Sequence, residues 1–435
     1  MFRYHLKLGL KSLRRAPVLT VLMVLILAVG IGTSMTSLTL LLALSGDPVP
    51  QMSGKLFVPR LDARPLESYT AGDEPDFQLG YIDARNLLRD AKGARQTVLF
   101  GFASAVDSGR DDLPPFFEDG MTATHDAFAM FDVPFIEGGT WRAEDDANAA
   151  KVAVIGQDLA QRLFPGGKAV GQRIRLDERD YTITGVMGLW QPVPNYIRVY
   201  GSSSTGRPPQ LWIPFSTAVQ LEYSNNGTTN CQSTPEPGYQ GFLDSECTWL
   251  QYWVQLDDAH QVRAYRDYLS AYVAEQKKLG RMPRPPNIAL LPLMAHLEKA
   301  GVVGNDQRLS SWLAFGFLGV CVVNLVTLML AKFTARQGDI GVRRALGATR
   351  AQIFRQYLTE AGVIGAVGAV LGAALAWYGV HLVGRATATT EDFYRMDPGL
   401  LATSLVLSVL AALLAGLLPT WRACNVRPAL QLKTQ

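Results

Sequence analysis

Arg336-Gln-Gly-Asp-Ile-Gly-Val-Arg-Arg-Ala-Leu-Gly-Ala-Thr349 is basic, punctuated by glycine and flanked on both sides by long apolar runs. Gly338 interrupts the helix before it, Asp339 can cap a new helix that begins at Ile340, and Gly347 can end that helix. Thr349 and Gln352 have the spacing of a capping box for a further helix. The stretch thus predicts a short helix clamped between two longer ones. Its plainer reading is a basic anchor at a membrane surface, and composition leaves both open.

Working outward, four stretches carry no Asp, Glu, Lys or Arg: Val18–Gly46, Leu309–Ala331, Ala361–Gly384 and Pro398–Trp421. Each is long enough to cross a hydrocarbon core of about 30 Å, which takes roughly 20 residues. The first is too long for a cleaved leader and ends in no convincing small-x-small site. At about 1.5 Å per residue it would reach some 43 Å, so its outer end (Thr36–Leu44) is predicted to tilt or to rise as a stalk. A hydrophobic content of 48% with a mean hydropathy of +0.09 fits four spans joined to a large soluble part.

Charge orients the chain. Residues 1–17, 332–360 and 422–435 hold 14 of the 41 basic residues and 2 of the 38 acidic ones. That leaves 27 and 36 for the remainder, or +12 against −9. The positive-inside rule puts both termini and the second connection in the cytoplasm. The expected organisation is an inner-surface segment (1–17), a first span with stalk (18–46) and an outside domain (47–308). A second span (309–331), a cytoplasmic coupling segment (332–360) and a third span (361–384) follow. An outer loop (385–397), a fourth span (398–421) and a cytoplasmic tail (422–435) complete it. Phe2, Leu6, Leu10 and Leu13 recur at helical spacing, so residues 2–15 read as an amphipathic helix on the inner surface or as a simple positive flank.

The outside domain reads as α+β, in two subdomains. Strand-like runs occur at Val152–Ile155, Arg173–Leu176, Tyr181–Thr184 and Trp249–Leu256. The middle two form a hairpin across Asp177–Asp180. Helix-like runs occur at Tyr81–Asp90, His125–Phe131, Gln157–Phe164 and Asp258–Lys278. Residues 191–248, rich in Ser, Pro, Gly, Asn and Thr, read as an extended loop. The loop holds Cys231 and Cys247, which an oxidising compartment would join; the alternative is two buried thiols. In the third span Gly365, Gly368 and Gly372, with alanines between them, let helices approach closely, within or between protomers.

Catalytic constellations are missing from the sequence. The five histidines show no metal-ligand spacing, and there is no Gly-x-Ser-x-Gly elbow and no Cys-x-x-Cys pair. Pro165-Gly-Gly-Lys168 lacks both the first glycine and the Ser/Thr of a phosphate loop. Within the spans only Asn324 and His381 are candidates for an ion pathway, which disfavours an ion-coupled carrier. Neither a metal, a cofactor nor nucleic acid is expected.

The segment Asp339-Ile-Gly-Val-Arg-Arg-Ala-Leu-Gly-Ala-Thr-Arg-Ala-Gln-Ile-Phe-Arg-Gln-Tyr-Leu-Thr-Glu-Ala361 closely resembles the coupling segment of MacB/FtsX-type ABC transporter permeases. Residues 8–17 resemble the family's N-terminal helix, and Pro419-Thr-Trp-Arg-Ala423 with Pro428 its C-terminal tail. Between Phe128 and Val186, the run Gly138-Gly-Thr-Trp-Arg142 with Val152-Ala-Val-Ile155, Leu163-Phe-Pro165, Gly171 and Gly185-Val186 resembles the MacB periplasmic core. The chain departs from the family at Asp339, where Glu is usual, at Gly139-Thr-Trp-Arg142, where Gly-Arg-x-Phe is usual, and in the length of 191–248.

The resemblance implies an α-helical protein of the bacterial inner membrane, with four transmembrane helices and a large α+β periplasmic domain inserted between the first and second. It implies a permease without a fused ATPase domain, paired with a second permease and driven by a separate ABC ATPase subunit. A periplasmic adaptor is a further candidate partner. Asp339, Ile340, Val342, Arg343, Arg344 and Leu346 would contact the ATPase. Export is the favoured role; the competing one is an FtsX-like regulator that transmits ATPase motion to a periplasmic partner such as a cell-wall hydrolase.

Overall fold

The computed structural model describes residues 16–198, 208–302, 305–335, 338, 342, 343, 346–386 and nine positions between 406 and 421. The segment 2–15, residues 387–397, most of the fourth apolar stretch and the tail after 421 lie outside these. The chain divides into two compact units, one formed by residues 1–45 with 303–435, the other by Gly46–Val302.

The first unit is helical. It contains α1 (Pro17–Ser45) and, after the large unit, two further long helices. A helix apolar all round cannot be placed by amphipathicity. Close contacts at small residues and a few polar bonds place α1 instead.

The large unit runs β1 (Leu56–Leu61), α2 (Tyr81–Asp90), β2 (Arg95–Leu99), β3 (Gly101–Asp107), β4 (Phe116–Ala123), α3 (Ala127–Met130), β5 (Phe135–Gly138) and α4 (Ala143–Ala147). It continues through β6 (Val152–Gly156), α5 (Gln157–Leu163), β7 (Arg173–Leu176), β8 (Arg179–Met187), β9 (Leu211–Pro214), α6 (Phe215–Gln220) and α7 (Tyr239–Leu243). β10 (Gln251–Gln255), α8 (Ala259–Lys278), β11 (Ile288–Pro292) and α9 (Leu293–Lys299) close it. The remaining long helices are α10 (Asn305–Thr334) and α11 (Arg350–Ala386).

Two sheets organise the large unit. One is antiparallel throughout, in the order β11-β1-β10-β2. The other has the order β5-β8-β6-β9-β4-β3-β7, and β7 also pairs with β8, so the ladder from β8 round to β7 closes on itself. Closure leaves fewer unpaired strand edges exposed to other chains. The chain steps from the first sheet into the second across Phe100, between β2 and β3. Phe100 is 1% exposed and meets the Trp249 ring edge-on at 4.9 Å. One apolar core, including Phe57, Val98, Phe102, Ile155, Ile174 and Leu269, draws on both sheets. A second apolar cluster, including Leu56, Val58, Met121, Trp212 and Trp253, also takes residues from both sheets, so the two predicted subdomains form one compact unit.

Local expectations fare unevenly. Helix α2 has the predicted bounds. Asp258 caps α8 by accepting from the Gln261 amide at 2.8 Å, as its residue type favours. The helix expected at His125–Phe131 shortens to α3. The hairpin turn is tighter than predicted: Leu176 pairs with Arg179, leaving only Asp177 and Glu178, both at positive φ (43° and 67°), as a two-residue primed turn requires. Residues 191–248 are not simply an extended loop. They contain α6, α7 and β9, whose Leu211-Trp-Ile-Pro214 is wholly buried between β6 and β4. Averaging composition over the segment hid this four-residue apolar run.

Candidate coupling site

The connection between α10 and α11 is held at its second end by local hydrogen bonds. The Thr349 amide donates to Gln352 Oε1 at 3.0 Å and the Gln352 amide to Thr349 Oγ1 at 3.3 Å, the reciprocal pair of a capping box. Just before it, Gly347 sits at φ 96° and the Ala348 amide reaches back to the Arg343 carbonyl at 3.0 Å. That bond with a positive-φ glycine is the signature of a Schellman helix end, which a residue with a Cβ reaches only under strain. Arg343 Nη1 donates to Gln356 Oε1 at 3.0 Å, tying the connection to α11.

Of the six residues predicted to contact an ATPase, Val342, Arg343 and Leu346 are exposed. Leu346 is 83% exposed and Val342 53%, an apolar pair offered to solvent on a basic segment. Asp339, Ile340 and Arg344 lie outside the described residues.

Above the connection the three long helices meet. Met23, Leu27, Ile31 and Met35 of α1 pack in one cluster with Leu325, Met329 and Phe333 of α10 and Ile353, Tyr357, Ala361 and Ile364 of α11. Gly365 is buried. A Cβ at Gly368 would come within 2.8 Å of Leu27, and one at Gly372 within 2.8 Å of Ile31. Both glycines therefore face α1 of the same chain. Ser34 Oγ of α1 donates to the Ala314 carbonyl of α10 at 2.9 Å. Among the described residues, three helices are long and apolar enough to cross a membrane. Their outward residues include Trp312, Leu313, Val323, Val370 and Trp377, all exposed, as in helices that meet hydrocarbon on one side and each other on the other.

Sequence reasoning missed one feature. Lys332 and Glu360, which flank the second and third apolar stretches, form an ion pair with both side chains 1% exposed. The sequence places them at the two ends of the cytoplasmic connection 332–360. Helix α10 instead runs on to Thr334 and α11 starts at Arg350, carrying both charges into the bundle. The available signal was a lysine and a glutamate of opposite sign abutting two apolar runs joined by one short connection.

In the large unit, Cys231 and Cys247 are joined by a disulfide. Thr248 and Asn230, their neighbours, form an antiparallel bridge beside it.

Residues 20–272, more than half of the chain, match the family described as MacB-like periplasmic core domain. The chain belongs to the MacB/FtsX-type permeases. Residues 311–428 match the FtsX-like permease C-terminal family, a range that includes the connection between α10 and α11. A macrolide export ATP-binding/permease protein MacB from Chromobacterium violaceum is 26% identical over 303 residues, 70% of this chain and 41% of that protein. A pyoverdine export ATP-binding/permease protein PvdT from Pseudomonas aeruginosa is 25% identical over 306 residues, 69% of this chain and 40% of the relative. The MacB/FtsX-type chain thus spans under half the length of these relatives. The periplasmic region of MacB from Actinobacillus actinomycetemcomitans aligns with 58% of this chain and 95% of its own, at 10% identity and a TM-score of 0.37. As a MacB/FtsX-type permease the chain is a component of an ABC transporter in the membrane, with several apolar helices and a large MacB-like domain.

Proposed function

We propose that this permease converts ATP binding and hydrolysis on a separate ABC ATPase subunit into movement of its large domain, and that this movement drives export. Two permeases pair, each with one ATPase beneath it. Both termini and the connection face the cytoplasm, the large domain faces the periplasm, and four spans join them. The observation that carries the reading is the exposed Leu346–Val342 pair on a basic segment secured at its end by a capping box. An apolar surface of this kind, fixed to two membrane helices, suits a protein contact that must transmit force. Mixed naming among the relatives, for macrolide and for pyoverdine export, supports export as the shared role and carries no cargo over to this chain.

The experiment is affinity purification of the wild-type chain and of Leu346→Glu from native membranes. The wild type should bring down an ABC ATPase, and the variant should insert normally yet recover little of it, because an unpaired charge at an apolar contact costs several kcal/mol when buried. Equal recovery with both would refute the contact. A copurifying adaptor protein would support export, and a copurifying wall hydrolase would favour the regulatory role instead. Single cysteines at positions 73 and 350 test the orientation: an impermeant thiol reagent added to intact cells should label the first and not the second.

A further inference from the structure

At the inner end of the bundle, Lys332 of α10 pairs with Glu360 of α11 and also donates from Nζ to Thr20 Oγ1 of α1 at 3.2 Å. The Thr20 hydroxyl in turn donates to the Ala16 carbonyl at 2.9 Å. One ammonium group thus reaches all three long helices. Met329, Phe333, Tyr357 and Ala361, each at most 6% exposed, belong to the same cluster. Phe333 of α10 and Tyr357 of α11 meet with ring centroids 4.4 Å apart.

Stability alone does not account for this arrangement. Removing two charges from water costs several kcal/mol per ion, and a buried pair often holds a fold no better than apolar residues of the same volume. What an ion pair with a third polar bond supplies is a single allowed position. Apolar side chains can slide past one another, but a buried ammonium that moves away from its carboxylate and hydroxyl gives up two polar bonds in a low-dielectric site, at high cost. The position is informative too. Helices α10 and α11 flank the connection, whereas α1 leads directly into the large unit at Gly46.

We infer that Lys332 is a positioning residue that makes the inner ends of α1, α10 and α11 move as one body. A push received at the connection then reaches α1 as well as the two helices the connection joins. The purpose of this linkage rests on the proposed function; the linkage itself does not.

The test is hydrogen–deuterium exchange on the full chain in nanodiscs, comparing the amides of residues 18–24 on α1 with those of 350–360 on α11. Lys332→Met should speed exchange in both segments by about tenfold or more, because one removal opens both contacts. Thr20→Val should speed only 18–24. The double variant Lys332→Met/Glu360→Met should melt at or above the wild-type temperature, which shows that it folds, while 18–24 still exchanges fast. Wild-type exchange in 18–24 with Lys332→Met, or with the folded double variant, overturns the inference, since packing alone would then hold α1. Failure of the wild-type chain to recover an ATPase would remove the proposed function and leave this result standing.

Discussion

Arg281 holds Asp83 with two parallel hydrogen bonds: Nη1 donates to Oδ1 at 3.0 Å and Nη2 to Oδ2 at 2.9 Å. The same guanidinium donates to Glu246 through Nε at 2.6 Å and to Gln276 through Nη1 at 2.7 Å. It therefore links α2, the chain after α7, and the end of α8. Asp83 is 1% exposed and has no other cation against it among the described contacts. Arg281→Met should strand that carboxylate and destabilise the large unit by about 3 kcal/mol. Chemical denaturation of the full chain, followed by tryptophan fluorescence, measures the loss. The double change Asp83→Leu/Arg281→Met should recover much of it, because no charge is left buried.

His296 gives the large unit a definite acid sensitivity. Its ring is 1% exposed, with Trp253 at 5.4 Å and Phe77 at 6.0 Å. Burial, with the Arg60 charge adding to it, pushes the imidazole down to about 3 from 6.5. The unfolded chain then binds a proton below pH 6.5 that the folded chain refuses. Stability from this group is complete above about pH 6.5 and is lost as pH falls from there toward 3. The loss near pH 4.5 should be about 2–3 kcal/mol. In His296→Phe the unfolding midpoint should vary less between pH 6.5 and 4.5 than in the wild type, and identical pH slopes would contradict the assignment.

The disulfide closes a loop over a sequence separation of 16. Constraining the unfolded chain over a loop of this size contributes about 3 kcal/mol. Cys231→Ser/Cys247→Ser should therefore lower the melting temperature of the large unit by roughly 6–12 °C. Reductant should do the same to the wild type and nothing further to the variant, which differential scanning fluorimetry reads directly.

Gly372 and Gly316 make a matched pair for the helical unit. A side chain at Gly372 meets Ile31 and the Ala28 carbonyl, whereas nothing lies within 4 Å of a Cβ at Gly316 on α10. Gly372→Val should separate α1 from α11 at a cost of about 1–3 kcal/mol, and Gly316→Ala should be tolerated. The helical signal lost during titration with sodium dodecyl sulfate would rank them. Equal resistance would mean that α1 does not pack on this face.

Much was legible in the order of residues alone. Runs free of charge marked the long helices, since hydrocarbon excludes charge and a helix satisfies its own backbone. Thr349 and Gln352 announced their capping box, and Asp258 its helix start, because these interactions span three residues and need nothing from elsewhere. The coupling motif and the periplasmic-core pattern between Phe128 and Val186 were enough to point to the family.

Distant contacts are what only the tertiary structure decided. Leu211-Trp-Ile-Pro214 looked like part of a polar loop, and it became a central strand because β4 and β6 leave a gap between them that four buried residues fill. Gly368 and Gly372 could have faced a partner or their own chain; the places of Leu27 and Ile31, more than 300 residues earlier, direct both glycines inward. Lys332 and Glu360 read only as the ends of a cytoplasmic connection because burial is a property of what surrounds a side chain, and the surroundings here include α1, which the sequence sets far away. Local hydrogen bonds and periodicity are written in neighbouring residues, whereas the energy of a buried ion pair depends on dielectric and distance, and both are fixed only when the three helices meet.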